Sequence, residues 1–535
     1  MTALDLRRKI GQLMVFGFKG ITASDEIKDL IRDYHVGGII LFGRNIGTPK
    51  EILELTTELQ QEAKNSGHEL PLLICTDQEN GVVRRLGDGT TVFPGAMLLG
   101  ATKNPDYAYH IGVATGKELK ALGINWNLAP VLDVNNNPLN PVIGVRSYGE
   151  SANHVSDFGK AAMKGLQDAG IITTLKHFPG HGDTELDSHL DLPVIAHDMK
   201  RLQEIELKPF VECINEGADT VMSAHVYFPT IEKNPGVPAT LSRAVITGLL
   251  REQLSFDGVV TTDCLEMNAI SKTIGTAQGA VQAIKAGVDL IMISHLHNLQ
   301  KDAFEEIVKA VESGEIEEKL IDEALARVTK LKQKYLSWSE TGIMRSNDGV
   351  PKVVGSKEHQ QQALEVFRQG ITIVKNNEGI LPLSKAPNHR VFVIYPENSA
   401  IKLVEDLRYS YYALGELIKE IHPAADTLLT PNPVSDEQIF EIIEQAADYD
   451  TVVVGTLTAL PGSQQVKLIE GLYNKGKKIV VIAMRSPYDL RFLPDIQGYI
   501  ATYEFTYPAL QMAVKALYGE EEVKGELPVT IIDQT

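Results

Sequence analysis

Ile171-Ile172-Thr173-Thr174-Leu175-Lys176-His177-Phe178-Pro179-Gly180-His181-Gly182-Asp183-Thr184-Glu185-Leu186-Asp187-Ser188-His189 changes character in its middle. The first five residues are apolar or β-branched and read as a buried strand. From Lys176 onward, histidines, carboxylates and glycines alternate, which is too polar for a core. Loops between a strand and a helix usually run about 2–6 residues. A longer, glycine-containing loop carrying titratable groups is the pattern of a working loop held by a rigid strand.

Three readings compete for this loop. A merely solvated loop leaves the density of histidines unexplained. A metal site could draw on His177, His181, Asp183, Asp187 and His189, but Pro179-Gly180 interrupts the helix that would bring His177 and His181 onto one face. Acid–base chemistry fits Asp187 and His189. Two residues apart, the carboxylate can orient the imidazole and stabilise its protonated form. No metal and no cofactor are expected.

The pattern around this strand repeats. Apolar runs at Leu13–Gly17, Gly37–Phe42, Leu72–Thr76, Asn125–Leu128, Thr173–His177, Thr220–Ala224, Gly258–Thr262 and Leu290–Ser294 alternate with helix-period segments such as Pro49–Lys64 and Lys200–Glu216. Eight βα units in this length predict a TIM-type (β/α)8 barrel. Such barrels carry their chemistry at the carboxyl ends of the strands. Asp77, Lys176, His177, His225, Asp263 and the pair Ser294-His295 all fall at or just beyond predicted strand ends. A helix near Glu315–Tyr335 closes this half, and a stretch rich in Ser, Gly, Asn, Asp and Pro follows it. Strand-like runs then resume at Ile371–Lys375, Val391–Tyr395, Thr451–Gly455, Lys478–Ala483 and Tyr499–Tyr503. The chain therefore reads as α/β throughout: a barrel domain over 1–340, a linker over 341–355, and a doubly wound α/β sandwich over 356–535. No glycine-rich phosphate loop follows the second domain's first strand, so nucleotide binding has no support.

Composition limits the partners. The 535 residues carry a formal net charge of −19, which disfavours nucleic acid and anionic membrane surfaces. Only three cysteines occur, Cys75, Cys213 and Cys264, widely spaced and without metal-ligand spacing. That suits a reducing compartment, and the expected location is cytoplasmic. Arg7-Arg8-Lys9 before Leu13-Met14-Val15-Phe16 superficially resembles a secretion signal. The apolar run is short and lacks a small-residue cleavage site, so a first core strand is expected there.

Lys-His-Phe-Pro-Gly-His-Gly followed, after four residues, by Asp-Ser-His resembles the signature of bacterial β-N-acetylglucosaminidases of glycoside hydrolase family 3. The resemblance implies a retaining exo-glycosidase that removes terminal β-linked N-acetylglucosamine (GlcNAc) from cell-wall or chitin-type fragments, with a small saccharide as its partner. It makes Asp187 and His189 the acid/base dyad, and Lys176 and His177 ligands of sugar hydroxyls. Asp263, in Thr261-Thr262-Asp263-Cys264-Leu265, matches the family's nucleophile, with Cys264 where an Asp is usual. Asp257 is the rival carboxylate, but it precedes the strand. Asp77-Gln78-Glu79-Asn80-Gly81-Val82-Val83-Arg84-Arg85 resembles the family's Asp-Gln-Glu motif. It implies substrate roles for Asp77 and Arg85, while Asn80 and Val82 depart from the pattern.

Arg146 matches another substrate-side arginine and reads equally well as a structural ion pair. Met222 and His225 would line the pocket near the acetamido group, a packed methionine being the alternative for Met222. Gly370-Ile371-Thr372-Ile373-Val374-Lys375-Asn376 and Gly525-Glu526-Leu527-Pro528-Val529 resemble the borders of the α/β domain that family 3 enzymes often append.

Retaining cleavage requires a nucleophile on one face of the sugar and an acid/base near the leaving oxygen. Two other activities share this frame. A phosphorylase would use phosphate as acceptor, which a neutral imidazole tolerates better than a carboxylate would. A β-glucosidase of the family usually takes its acid/base from the second domain, and Asp187-Ser188-His189 argues against that. A non-catalytic sugar-binding protein is disfavoured by the presence of both Asp263 and His189.

Overall fold

The computed structural model describes residues 5–184, 191–341, 349–397, 405 and 413–531. Asp187 and His189 lie outside the described residues. Eight strands form the first sheet: β1 (Met14–Phe16), β2 (Gly38–Leu41), β3 (Leu73–Thr76), β4 (Trp126–Asn127), β5 (Ile172–Phe178), β6 (Thr220–Ser223), β7 (Val259–Thr262) and β8 (Ile291–Ile293). Their order, β7-β6-β5-β4-β3-β2-β1-β8, is that of a barrel, and every pairing is parallel. The seam between β7 and β8 is closed by a parallel bridge between Thr261 and Leu290 and by Thr262 N–H donating to the Leu290 carbonyl over 3.0 Å. Each strand is buried along its whole length, as expected where helices cover the outside and packed side chains fill the inside.

Local signals set the helices. Pro49–Asn65 starts with Thr48 capping Glu51 N–H while the Glu51 carboxylate reaches back to Thr48 N–H, and Pro49 opens the first turn. The expected helix over Lys200–Glu216 is instead two, Met199–Glu204 and Lys208–Asn215, with Asp198 capping the first and Pro209 in the first turn of the second. Glu206 sits in the joint and is buried there.

The second half forms β9 (Thr372–Asn376), β10 (Val391–Pro396), β11 (Asp426–Thr430), β12 (Thr451–Thr456), β13 (Lys478–Ala483) and β14 (Gly498–Ala501). Their order is β11-β10-β12-β13-β14-β9, parallel except for β9, which runs antiparallel to β14. The sheet is thus mixed, and β11 is a strand the sequence reading omits. It lies at an edge, with only Thr430 buried, so it lacks a continuous apolar signal.

The two halves share a core. Helix Ala96–Ala101 is buried on every side, and Met97, Leu98 and Leu99 pack in one cluster with Phe367, Ile371, Val480 and Leu510. Polar bonds cross the same boundary. Gly95 N–H donates to the Glu504 carboxylate over 2.7 Å, and Asn135 Nδ2 donates to Tyr488 Oη over 2.9 Å. Among the described residues, no helix is long and apolar enough to cross a membrane.

Candidate active site

A cavity of about 450 Å³ opens at the carboxyl ends of the barrel strands, inside the range of about 300–1,000 Å³ typical of small-molecule sites. Its wall gathers Asp77 from the end of β3, Lys176 and His177 from β5, Met222 from β6, Asp263 from the end of β7, and Ser294 and His295 from the end of β8. Arg44, Glu79, Arg84, Arg85, Arg146 and His181 complete most of the polar lining. Of the residues predicted for the site and described here, only His225 is missing from the wall. Its ring is buried behind it, with Nδ1 2.8 Å from Thr240 Oγ1 and Nε2 3.0 Å from the Cys264 carbonyl oxygen. His225 therefore braces the residue next to Asp263 instead of facing the cavity.

An ion-pair network forms the floor. Lys176 Nζ donates to Asp77 Oδ1 over 2.8 Å and lies 2.6 Å from Glu79 Oε1. Arg146 grips Glu79 with two hydrogen bonds of 2.8 Å each, in the forked geometry that suits guanidinium and carboxylate. Arg85 Nη2 stands 3.9 Å from Asp77 Oδ2. Burial alone would raise the Glu79 carboxyl, but the charges of Arg146 and Lys176 outweigh it and hold Glu79 well below the usual carboxylate range. Burial would likewise lower Lys176, and the charges of Asp77 and Glu79 reverse this, keeping it protonated. Arg146 is thus both an ion-pair partner and a pocket residue, so the two readings of it coexist.

The β5 loop is fastened by Asp133, which follows β4 and is fully buried. His177 Nδ1 lies 2.7 Å from Asp133 Oδ2, while Oδ1 accepts the backbone N–H groups of His177 and His181 over 3.2 and 2.7 Å. A proton on Nδ1 leaves Nε2 to accept from Arg146 Nη2 at 3.4 Å. His181 Nδ1 meets Thr184 Oγ1 at 2.9 Å, and burial pushes its pKa down to about 4. The two rings thus have separate partners, Asp133 for His177 and Thr184 for His181. Two glycines make the turn feasible. Gly180 has a φ of +139°, and a Cβ at Gly182 would run into the Val134 carbonyl oxygen.

Asp263 projects from the turn after β7, where Cys264 N–H donates to its Oδ1 over 2.7 Å. Asp257, the rival, is a surface residue paired with Lys330 ahead of β7. Burial pushes the Cys264 thiol up to about 12, so it stays protonated. Glu266 holds the neighbouring strand end. Its carboxylate accepts the backbone N–H groups of Ser294, His295 and Leu296 over 2.7, 2.7 and 2.8 Å. Arg44 donates to the Ser294 carbonyl oxygen and lies 3.1 Å from His295 Nδ1. The second half contributes Glu405 to the wall, held by Arg485 at 2.7 Å.

Sequence reasoning assigned no role to Glu79, Asp133, Arg44, Arg84, Glu266 or Glu405. For Glu79 the signal was its place inside Asp-Gln-Glu, and for Asp133 its place just beyond a strand. Glu405 carried none.

Relatives agree with this architecture. The sequence matches the glycosyl hydrolase family 3 N-terminal domain over residues 5–331 and the family's C-terminal domain over residues 371–535. A solved glycoside hydrolase family 3 β-N-acetylglucosaminidase from Paenibacillus sp. str. FPU-7 is 42% identical, with all of both chains covered and a TM-score of 0.91. Beta-hexosaminidase A of Pseudoalteromonas piscicida is 31% identical across 95% of this chain and 92% of its own. A β-N-acetylglucosaminidase/β-glucosidase of Cellulomonas fimi is 27% identical across 97% of this chain and 93% of its own. With both characteristic domains matched in order, and a pocket of carboxylates and cations at the barrel's carboxyl end, the chain is a member of glycoside hydrolase family 3.

Proposed function

We propose that this enzyme is a retaining exo-β-N-acetylglucosaminidase. The observation that carries the reading is the convergence of Asp263 with the Asp77–Lys176–Glu79–Arg146–His177 network in one cavity. Asp77, Lys176 and His177 offer hydrogen bonds to sugar hydroxyls, and Met222 presents an apolar surface to the acetamido methyl. Asp263 attacks the anomeric carbon and forms a glycosyl ester while the glycosidic C–O bond breaks. His189, oriented by Asp187, gives its proton to the leaving oxygen, then takes one from the water that cleaves the ester. Imidazole titrates near neutrality, so it serves both steps without the burial a carboxylic acid would need. No step needs a metal or cofactor. The buried, unpaired cysteines suit a reducing compartment, and we place the enzyme in the cytoplasm acting on GlcNAc-containing saccharides.

The proposed division of the chain is a catalytic barrel over 1–340, a linker over 341–355 and a sandwich domain over 356–535 that adds Glu405 to the pocket wall.

The test is to trap the ester. A fluorinated GlcNAc donor with a good leaving group should label one peptide, and mass spectrometry should find the label on Asp263. Asp263→Asn should abolish labelling and lower kcat by several orders of magnitude while the protein stays folded. Label on another carboxylate would overturn the assignment.

A second acceptor has one observation in its favour. Arg44, Arg84 and Arg85 all line the cavity, which is more positive charge than the β5 loop alone supplies. Phosphate capture needs such donors fixed near the dyad. Hydrolysis remains the proposed main reaction, since Arg44 is already bonded to Phe18 and Ser294 carbonyl oxygens. Free GlcNAc should dominate at millimolar phosphate; GlcNAc-1-phosphate as the major product would make the enzyme a phosphorylase.

A further inference from the structure

The turn that carries Glu79 is seated against the second half of the chain. Glu79 N–H donates to the Val83 carbonyl oxygen over 3.1 Å, and Val83 N–H donates to the Asn80 carbonyl oxygen over 3.3 Å. Asn80 and Gly81 at the tip have φ of +70° and +59°, a conformation that Asn and Gly adopt most readily. Both arms of the turn reach the cavity, Glu79 on one and Val83, Arg84 and Arg85 on the other.

The tip meets Gly95 and Glu504. Gly81 N–H donates to the Phe93 carbonyl oxygen over 3.1 Å, and Gly95 N–H donates to Glu504 Oε2 over 2.7 Å. A Cβ on Gly81 would stand 2.7 Å from the Gly95 Cα and 3.0 Å from Glu504 Oε2. The void left there is only about 10 Å³, lined by Glu79 and Arg146 of the ion-pair network as well as by Gly95 and Glu504. Such a space holds one water at most, so the contact has little slack.

Glu504 is itself fixed by its own half. It follows Tyr503, whose φ of +62° is uncommon for a bulky side chain and persists where the surrounding structure over-determines it. The Tyr503 hydroxyl is 2.7 Å from Thr372 Oγ1, and Thr502 Oγ1 donates to the Glu504 carbonyl oxygen over 2.9 Å. Thr506 Oγ1 donates to Glu504 Oε1 over 2.6 Å. The residue is 1% exposed. Burying a carboxyl costs more than burying an apolar side chain, and what this one gains is the bond to Gly95. Burial pushes it up to about 7, so glutamine is a close match for its protonated form.

We propose that Glu504 is a positioning residue for the sugar pocket. By bonding Gly95 it seats the tip of the turn over residues 79–83, and so fixes Glu79, Arg84 and Arg85 at the cavity wall. The consequence for turnover rests on reading that cavity as the site of the terminal GlcNAc.

The experiment uses the full-length protein with Glu504→Met, which keeps the bulk and removes the acceptor, and Glu504→Gln, which keeps both. Three readouts are taken on folded protein: kcat/KM on a GlcNAc disaccharide, competitive inhibition by free GlcNAc, and hydrogen exchange of the peptide over residues 77–86. Glu504→Met should lose about tenfold or more in kcat/KM and in GlcNAc affinity, with faster exchange in that peptide. Glu504→Gln should stay within about twofold of wild type on all three. Should Glu504→Met not fold, Glu504→Asp, one methylene short of Gly95, should show the same pattern more mildly.

A purely structural role would lower the melting temperature of these variants while leaving kcat/KM and exchange at residues 77–86 unchanged, and that result overturns the proposal. An equal loss in Glu504→Gln overturns it too. Lys103→Met removes a bond elsewhere on the same boundary, from Lys103 Nζ to the Leu527 carbonyl oxygen over 2.8 Å, and should leave all three readouts at wild-type values. A matching loss there would mean general loosening of the two halves, against a specific role for Glu504. Lys176→Met is measured alongside. If it keeps its GlcNAc affinity, the reading of the cavity as the sugar site fails instead, and the exchange at residues 77–86 still decides whether Glu504 seats the turn.

Discussion

Replacing Glu79 by Gln removes one negative charge from a place where two positive charges depend on it. Glu79, Arg146 and Lys176 have side chains only 6%, 5% and 2% exposed. In the variant, Lys176 keeps Asp77 at 2.8 Å, but Arg146 loses its carboxylate partner and is left with neutral acceptors such as the Val142 carbonyl oxygen at 3.2 Å and His177 Nε2 at 3.4 Å. Leaving a buried charge without its partner costs about 3–5 kcal/mol. Gln retains the shape and one acceptor, so the lower figure, about 3 kcal/mol, is expected. At about 2–4 °C per kcal/mol for a domain of 150–250 residues, and less for a longer one, the melting temperature should drop by at most about 6–12 °C.

The pH dependence adds a second readout. Glu79 is held below its unfolded value of about 4.3, so the folded state resists protonation that the unfolded state accepts. Its contribution is complete above that value and is lost as pH falls through the acid range. Wild-type stability should therefore decline on acidification more steeply than that of Glu79→Gln. Thermal melts by circular dichroism from pH 2 to 8 measure both effects. Turnover should also fall, by about 10²-fold, as Lys176 and Arg146 lose their fixed positions. A neutral-pH melting temperature within about 2 °C of wild type, less than about 1 kcal/mol by the same scale, would refute the reasoning.

Three further outcomes are expected. His189→Ala should impair glycosides with poor leaving groups far more than activated aryl glycosides, with Asp187→Ala milder in the same sense; kinetics on a leaving-group series would expose equal losses, which contradict the acid/base roles. Burial pushes Glu504 up to about 7, so the folded state binds a proton more tightly than the unfolded one, and stability should fall as pH rises from about 4 to 7. Glu504→Gln, still accepting the Gly95 N–H, should flatten that dependence, measured by urea unfolding across the range. Residues 1–340 alone should aggregate or lack activity, because they expose Met97, Leu98 and Leu99 and lose Glu405; a soluble, fully active fragment in size-exclusion and kinetic assays would show the second half to be dispensable.

How far the sequence could be read followed from how each feature is encoded. The eight barrel strands were legible because strands buried on both faces appear as continuous apolar runs between helix-period segments. β11 was not, because an edge strand with one buried residue carries no such run. Asp77, Lys176, His177 and Asp263 announced themselves as polar residues at strand ends. Glu79 and Asp133 did not, since their importance lies in partners such as Arg146 and His177 that only barrel closure brings near. The helix break at Ile205 was hidden because Lys200–Glu216 keeps an apolar period across the joint. His225 stands at the expected strand end, and its ring bonds to Thr240 and to the Cys264 carbonyl oxygen, partners that strand position does not reveal. The roles of Asp187 and His189 rest on the sequence motif alone.

The shared core has a consequence for how the protein is made. Helix Ala96–Ala101 emerges from the ribosome early, but the residues that cover it, among them Phe367, Val480 and Leu510, are translated last. At about 5–20 residues per second, synthesis from the end of helix Glu318–Tyr335 to the end of helix Tyr507–Leu517 takes roughly 10–40 seconds. Throughout that interval a finished barrel would present Met97, Leu98 and Leu99 to its surroundings. The nascent chain is therefore expected to need a holding chaperone in that window, and rare codons placed between the two halves should lengthen the exposure and lower the yield of native enzyme.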